Sequence, residues 1–263
     1  MPREHPSFQK SFVKEKKKPK LKKAILVVGL PGIGLVSKLA VDHLVKTLDA
    51  KRFATVYSPY LPNQVLALKT GRLRSFNLMF YHAKLKGRDA VFLRGDLQPL
   101  TVEGQYEVTG RVLSYFSSLG GTEVLAMAGF AVNKKGKPNV YCTSTSKKTL
   151  EKFVEKTGAK TTPQVVPVVG LAGMIPGLSN LYQMRGTCLL VETPGNVIDP
   201  TGAKVLVESL EKYTGTKLDT KKLESSARKT QKLIHSIEQQ AQKEEQRATL
   251  SVPASKESLS YIR

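Results

Sequence analysis

Apolar residues fall in short continuous runs separated by glycine- and proline-rich turns, and several runs lead into stretches with helical spacing. Ala24-Ile25-Leu26-Val27-Val28 is the first such run. Gly29-Leu30-Pro31-Gly32-Ile33-Gly34 follows it, and then Val36, Leu39, Ala40 and Leu44 recur on one helical face. A run without polar alternation suits a strand covered on both faces. Phe53 to Ser58, Ala90 to Gly95, Glu123 to Phe130, Val140 to Ser144 and Thr187 to Thr193 read as further strands. Val65 to Leu68 and Ser75 to His82 read as strands flanking Thr70-Gly71-Arg72. Helices are expected over 102–119, 147–157 and 200–214, stopped by Gly120-Gly121, Gly158 and Gly215. Val165 to Val169 carries Pro167, which demotes it to an edge or irregular strand. Strands alternating with helices predict an α/β fold: a mainly parallel, mixed sheet with helices on both faces. The hairpin near Thr70 supplies antiparallel pairing.

The ends of the chain differ from this body. Residues 1–23 are polar, lysine-rich and aperiodic, and are expected to form a basic flexible arm. The α/β domain is expected over 24–218, a long C-terminal helix over 219–247 and a flexible tail over 248–263. Apolar positions thin out after Ile237, so the far end of that helix is expected to leave the body or pack on a neighbour.

The chain has 263 residues and is 40% hydrophobic, enough for one sizeable α/β core with tails. No apolar run approaches the roughly 18 residues that span a bilayer. The polar, lysine-rich N-terminus is not expected to be a secretory signal. Cys142 and Cys188 show neither a disulfide framework nor metal-ligand spacing, and read as buried residues in a reducing cytoplasm. The net charge of +21 points to an acidic partner, nucleic acid or an acidic protein surface. Its largest block, Lys14 to Lys23, lacks the interleaved aromatics that stack bases.

Candidate chemistry is sparse. The Gly29, Gly32 and Gly34 turn opens a helix, where backbone amides receive phosphate. Its order is G-x-x-G-x-G rather than the dinucleotide G-x-G-x-x-G, and the phosphate-loop lysine is missing. The bland reading is a tight packing turn. Asp96, at the end of the middle strand, and Glu103 could be catalytic carboxylates; equally, they suit a turn and a helix start. His5, His43, His82 and His235 have no partner at motif spacing, so no catalytic constellation and no metal set is identified. A second glycine stretch runs from Gly170 to Gly177. It reads either as a packed turn or as an oligomer interface, with Leu171, Met174, Ile175 and Leu178 as the association patch.

Three stretches together carry a resemblance. Gly29-Leu30-Pro31-Gly32-Ile33-Gly34-Leu35-Val36, Leu93-Arg94-Gly95-Asp96-Leu97-Gln98-Pro99 and Gly170-Leu171-Ala172-Gly173-Met174-Ile175-Pro176-Gly177 are similar, in order and spacing, to the proteasome-assembly-chaperone family in its archaeal form. The resemblance implies a three-layer α/β/α sandwich like that of nucleoside phosphorylases, no enzymatic activity and no cofactor. It also implies homo-oligomers and binding to α-subunits of the proteasome core or a similar ring. Proteasome-binding members end in hydrophobic-tyrosine-any residue, docking through the tyrosine and the terminal carboxylate. Here the chain ends Ser260-Tyr261-Ile262-Arg263, with the tyrosine one place early. Tyr261, Ile262 and Arg263 are therefore the candidate docking residues, with a departure from the family pattern. A nucleotide- or phosphate-handling enzyme using the Gly29 to Gly34 turn, and a nucleic-acid binder using the basic arm, stay open as alternatives.

Overall fold

The computed structural model describes residues 8–133, 136–162, 164–221 and 223. Eleven strands and five α-helices follow in the order β1 (Phe12–Glu15), β2 (Ala24–Gly29), α1 (Val36–Thr47), β3 (Lys51–Tyr57), β4 (Val65–Ala67), β5 (Leu73–Ser75), β6 (Leu78–Leu85), β7 (Arg88–Gly95), α2 (Val102–Ser118), β8 (Gly121–Ala131), β9 (Val140–Ser144), α3 (Lys147–Thr157), β10 (Lys160–Thr161), α4 (Leu171–Gly177), β11 (Arg185–Thr193) and α5 (Pro200–Thr214). Short 3₁₀ turns cover Ile33–Leu35 and Ser179–Tyr182.

One nine-stranded sheet runs β1-β3-β6-β7-β2-β8-β11-β9-β10, and β4 and β5 form a separate hairpin. Successive side chains of a strand point to opposite faces, and the two faces build two cores. Ile25 and Val27 of β2, with Phe92, Leu125 and Leu189, pack with α1, α3 and α5. Ala24, Leu26 and Val28, with Val91, Leu93 and Leu190, pack with α2 and α4. The wholly buried pattern of β2 is thus what a strand covered on both faces requires. Side-chain caps start the helices: Thr101 accepts from the amide of Gly104 at 3.1 Å, and Asp199 from that of Gly202 at 2.8 Å. Gly158 (φ 73°) and Gly215 (φ 70°) end α3 and α5 in the left-handed conformation that glycine allows.

The sheet is mixed, as expected, but not mainly parallel. Parallel pairings (β7–β2, β2–β8, β8–β11, β9–β10) and antiparallel ones (β1–β3, β3–β6, β6–β7, β11–β9) are equal in number. The cause is short connections: the Lys86-Gly87 turn (φ 75° at Gly87) folds β6 directly back onto β7. The segment expected as a single strand from Ser75 to His82 divides into β5 and β6, and Val165 to Val169 forms no strand.

The basic arm expected over 1–23 is not free across its described part. Residues 12–15 form an edge strand paired with β3 in the register Phe12↔Tyr57 to Glu15↔Ala54. Phe12 stacks on Tyr57 at 5.4 Å, and Val13 packs against the α2-side core. The amide of Lys22 donates to the buried carboxylate of Asp89 at 2.6 Å, and the amide of Asp89 donates to the Lys22 carbonyl. Most of the expected helix over 219–247, and all of the tail over 248–263, lie outside the described residues.

Candidate functional site at the carboxyl end of the sheet

From β2 the chain passes to α1 on one face; from the adjacent β7 it passes to α2 on the other. Connections that leave neighbouring parallel strands toward opposite faces open a crevice at their carboxyl ends, where open α/β sheets place ligands. The loops after β2 and β7 meet at this crevice, and the segment leading into α4 joins them.

Gln98 ties the three together. Its side-chain amide donates to the carbonyl of Pro31, and its side-chain oxygen accepts from the amide of Leu171 at 2.9 Å. One side chain thereby clasps all three sequence stretches on which the family resemblance rests. Gly170 (φ 79°) sits so close that a Cβ there would lie 2.9 Å from the Gln98 oxygen. Nothing in the spacing of the sequence marks Gln98, because its partners are main-chain groups brought together from far along the chain.

The glycine turn itself is occupied by protein. A Cβ at Gly29 would lie 2.3 Å from Val41, and one at Gly34 (φ 63°) 2.6 Å from the hydroxyl of Thr193. The carbonyl of Gly32 receives the amide of Leu35 at 2.9 Å, and the carbonyl of Leu30 receives the Ser37 hydroxyl at 2.6 Å. Gly29 lets α1 approach β2, and Gly34 lets the turn approach β11. Gly32 alone among these three faces open space. This arrangement favours the packing-turn reading over the phosphate cradle.

Charged side chains near the crevice are committed to one another. Arg74 forms a two-pronged contact with Asp96, at 2.5 and 3.1 Å, pinning the β4–β5 hairpin to the end of β7. The hydrogen bond to Asp96 raises the Arg74 pKa, keeping its charge secure. Buried Lys38 reaches Asp42 at 3.0 Å and the Gly95 carbonyl at 3.2 Å, and Arg94 meets the same Asp42 at 2.9 Å. Glu103 is exposed in the first turn of α2, where a carboxylate complements the helix dipole.

Other candidates lie elsewhere. His43 is buried and contacts the Asp219 carbonyl at 2.5 Å; His82 meets Asp89 at 2.7 Å, at the opposite end of the sheet. Burial pushes both the Cys142 and Cys188 thiols up to about 12. Cys142 belongs to the α1-side core and Cys188 to the α2-side core. Among the described residues no group of three or more His, Cys, Asp or Glu could hold a metal, and no helix is long and apolar enough to cross a membrane.

The expected association patch needs correction. Leu171 and Ile175 are fully buried under α4 within the chain, and Met174 and Leu178 are only part-exposed. Helical spacing turned the larger side chains of this glycine stretch inward onto β8 and β11. Exposed apolar side chains instead flank the Gln98 clasp: Ile33, Leu100, Val102, Tyr106 and Val169, with Leu100 81% and Val169 82% exposed. Tyr261, Ile262 and Arg263 lie outside the described residues.

Residues 26–238 match the model of the PAC2 family. The chain belongs to the PAC2 family. An uncharacterized protein of Methanocaldococcus jannaschii is 31% identical over 243 residues, covering 92% of this chain and 93% of that one. Pyrococcus furiosus PbaB, described as an archaeal proteasome activator, is 30% identical with a TM-score of 0.78, over 88% of this chain and 99% of the other. Pyrococcus furiosus PbaA, described as an archaeal homolog of proteasome-assembly chaperone, is 24% identical with a TM-score of 0.73, over 89% and 99% of the two chains, and speaks for the fold alone. In this PAC2 body, the three stretches behind the family resemblance form one clasped structural unit.

Proposed function

We propose that this protein is a non-enzymatic, homo-oligomeric partner of the proteasome core, acting as an assembly chaperone or adaptor in the cytoplasm. One observation carries the reading: near-complete coverage, at 30% identity, of a solved protein described as a proteasome activator. The site geometry agrees with it. Gln98 bridges the loops at the crevice and Gly29 and Gly34 are packed against protein, while apolar side chains nearby are exposed. Such exposed apolar groups suit association with another protein surface. The reading includes a three-layer α/β/α body, a long helix over 219–247, and docking of the tail through Tyr261, Ile262 and Arg263 between α-subunits.

The test is native mass spectrometry of the chain alone and with proteasome α-subunits. A defined homo-oligomer and a stoichiometric complex with the subunits are expected. Deleting 260–263 should abolish that complex and leave the homo-oligomer unchanged. A chain that stays monomeric and binds no α-subunit would overturn the reading. Undiminished binding after the deletion would reject the tail as the docking element.

A further inference from the structure

The lysine block from Lys14 to Lys23 is held in place at both ends. On one side, β1 pairs with β3, and the amides of Lys16 and Lys17 both donate to the Phe53 carbonyl, at 2.7 and 3.4 Å. On the other side, Lys22 exchanges main-chain and side-chain bonds with buried Asp89, and Arg88 donates to the Lys23 carbonyl at 3.2 Å. Pro19, between the anchors, stiffens its own residue and restrains Lys18. The block therefore crosses the amino-terminal end of the sheet, from β3 past β6 and β7 to β2. Three strand spacings make this a path of about 14 Å.

Lys14, Lys16, Lys17, Lys18, Lys20, Lys22 and Lys23 are all exposed, and none pairs with a carboxylate among the described residues. Glu15, the one acid in the block, lies beside the Tyr115 hydroxyl and helps to raise its pKa, after the larger effect of burial. Lysines on an edge strand can serve merely to block edge-to-edge pairing. That role covers Lys14, on β1, and leaves Lys20, Lys22 and Lys23 unexplained, because they cross the end of the sheet away from its edge. A run of like charges also costs self-repulsion when it is fixed rather than free. Holding it in place with a buried aspartate makes sense where the fixed spacing is used.

We propose that this strip is a docking surface for an extended acidic segment of a partner protein. Charge complementarity identifies the occupant's chemistry. The strip favours polypeptide carboxylates over single-stranded nucleic acid on one count: it carries no aromatic between Lys14 and Lys23 on which a base could stack. The inference is independent of the carboxyl-end surface and of the C-terminal tail.

The test uses the full chain and a fluorescein-labelled oligo-glutamate peptide, followed by anisotropy at physiological ionic strength. The variant Lys16→Gln/Lys17→Gln/Lys18→Gln/Lys20→Gln should bind about tenfold more weakly or worse, since several screened charge pairs are lost together. The control Lys147→Gln/Lys148→Gln/Lys152→Gln/Lys212→Gln carries the same change in net charge on α3 and α5 and should bind as the unchanged protein does. Asp89→Asn raises the net positive charge, yet should weaken binding by releasing the anchor. Circular dichroism checks that each variant is folded. Equal loss in the control, or tighter binding in a folded Asp89→Asn, would overturn the proposal. So would a single-stranded RNA of equal charge that displaces the peptide from the unchanged protein but not from the strip variant, which would assign the strip to nucleic acid.

Discussion

Gln98 holds the carboxyl end of the sheet together, and removing it measures what the clasp contributes. In Gln98→Ala two hydrogen bonds vanish: one to the Pro31 carbonyl and one from the Leu171 amide. Leu171 is fully buried, so its amide is left without a partner and far from water. A lost hydrogen bond costs about 0.5–1.5 kcal/mol net, and an orphaned buried donor about 1–3 kcal/mol, which together give about 2–4 kcal/mol. For a body of this size each kcal/mol moves Tm by about 2–4 °C, so a fall of roughly 5–15 °C is expected. Urea unfolding followed by circular dichroism should show a lower midpoint with an unchanged slope. Gln98→Glu separates the two bonds. A carboxylate still accepts from Leu171 but faces the Pro31 carbonyl with a second acceptor in place of a donor, so at neutral pH this variant should be less stable than the unchanged protein. As pH falls and the carboxyl regains an O–H, its deficit relative to the unchanged protein at each pH should shrink. A Tm change within 2 °C for Gln98→Ala would refute the argument. So would a Gln98→Glu variant as stable as the unchanged protein at pH 7.

Two further perturbations test the packing argument and the anchor of the basic strip. Gly29→Ala places a methyl 2.3 Å from Val41 and 2.6 Å from the Ser37 carbonyl, and should cost about 1–3 kcal/mol or more in urea unfolding. Gly32→Ala meets nothing within 4 Å, in extended backbone, and should stay within about 0.5 kcal/mol. Equal effects at the two glycines would count against the close approach of α1 to β2. Asp89 is the acid-sensitive anchor. Burial pushes its pKa up, but bonds from Lys84, His82 and the Lys22 amide outweigh this and leave it lowered. A carboxylate with a lowered folded pKa stabilises the fold above its unfolded value of about 4, and that stability is lost as pH falls further, through the folded value. Asp89→Asn should therefore flatten the stability profile below about pH 4 while lowering stability at neutral pH. A profile parallel to that of the unchanged protein would refute it.

The parts of the fold legible in the sequence are those fixed by local patterning. The unbroken run of β2 announces burial on both faces, and Gly158 and Gly215 stop their helices through a backbone conformation that few other residues adopt. Strand β1 is hidden in the sequence because two of its four residues are charged and it sits in a lysine run; Phe12 and Val13 find their partners, Tyr57 and the α2-side core, only in the folded chain. The balance of parallel and antiparallel pairing is not legible in local patterning because it depends on which neighbour each strand joins. The Gly170 stretch shows the same limit: glycines and leucines fit an exposed patch and a buried turn equally well, and only contact with Gln98, β8 and β11 decides that Leu171 and Ile175 face inward. At the candidate site, the glycines were visible and the clasp was not, because Gln98 binds main-chain groups that carry no residue signature.

The two ends of the sheet call for different kinds of recognition. At the carboxyl end, Val41 and Thr193 fill the space beside Gly29 and Gly34, Gln98 spans the loops, and Arg74–Asp96 and Lys38–Asp42–Arg94 pair their charges internally. Asp42 answers both Lys38 and Arg94, which leaves one positive charge in excess, but Lys38 is buried and Arg94 half-buried, so the fully exposed groups available to a partner are apolar, Leu100 and Val169 foremost. At the amino end the order is reversed: lysines without carboxylate partners among the described residues stand in water on backbone fixed by β1 and Asp89. Apolar association depends weakly on salt, whereas exposed charge pairing is screened over about 8 Å at physiological ionic strength. Ionic strength therefore separates the two surfaces. A partner released by moderate salt and lost in the four-lysine strip variant is held at the lysine strip, and one that survives salt is held through apolar contact.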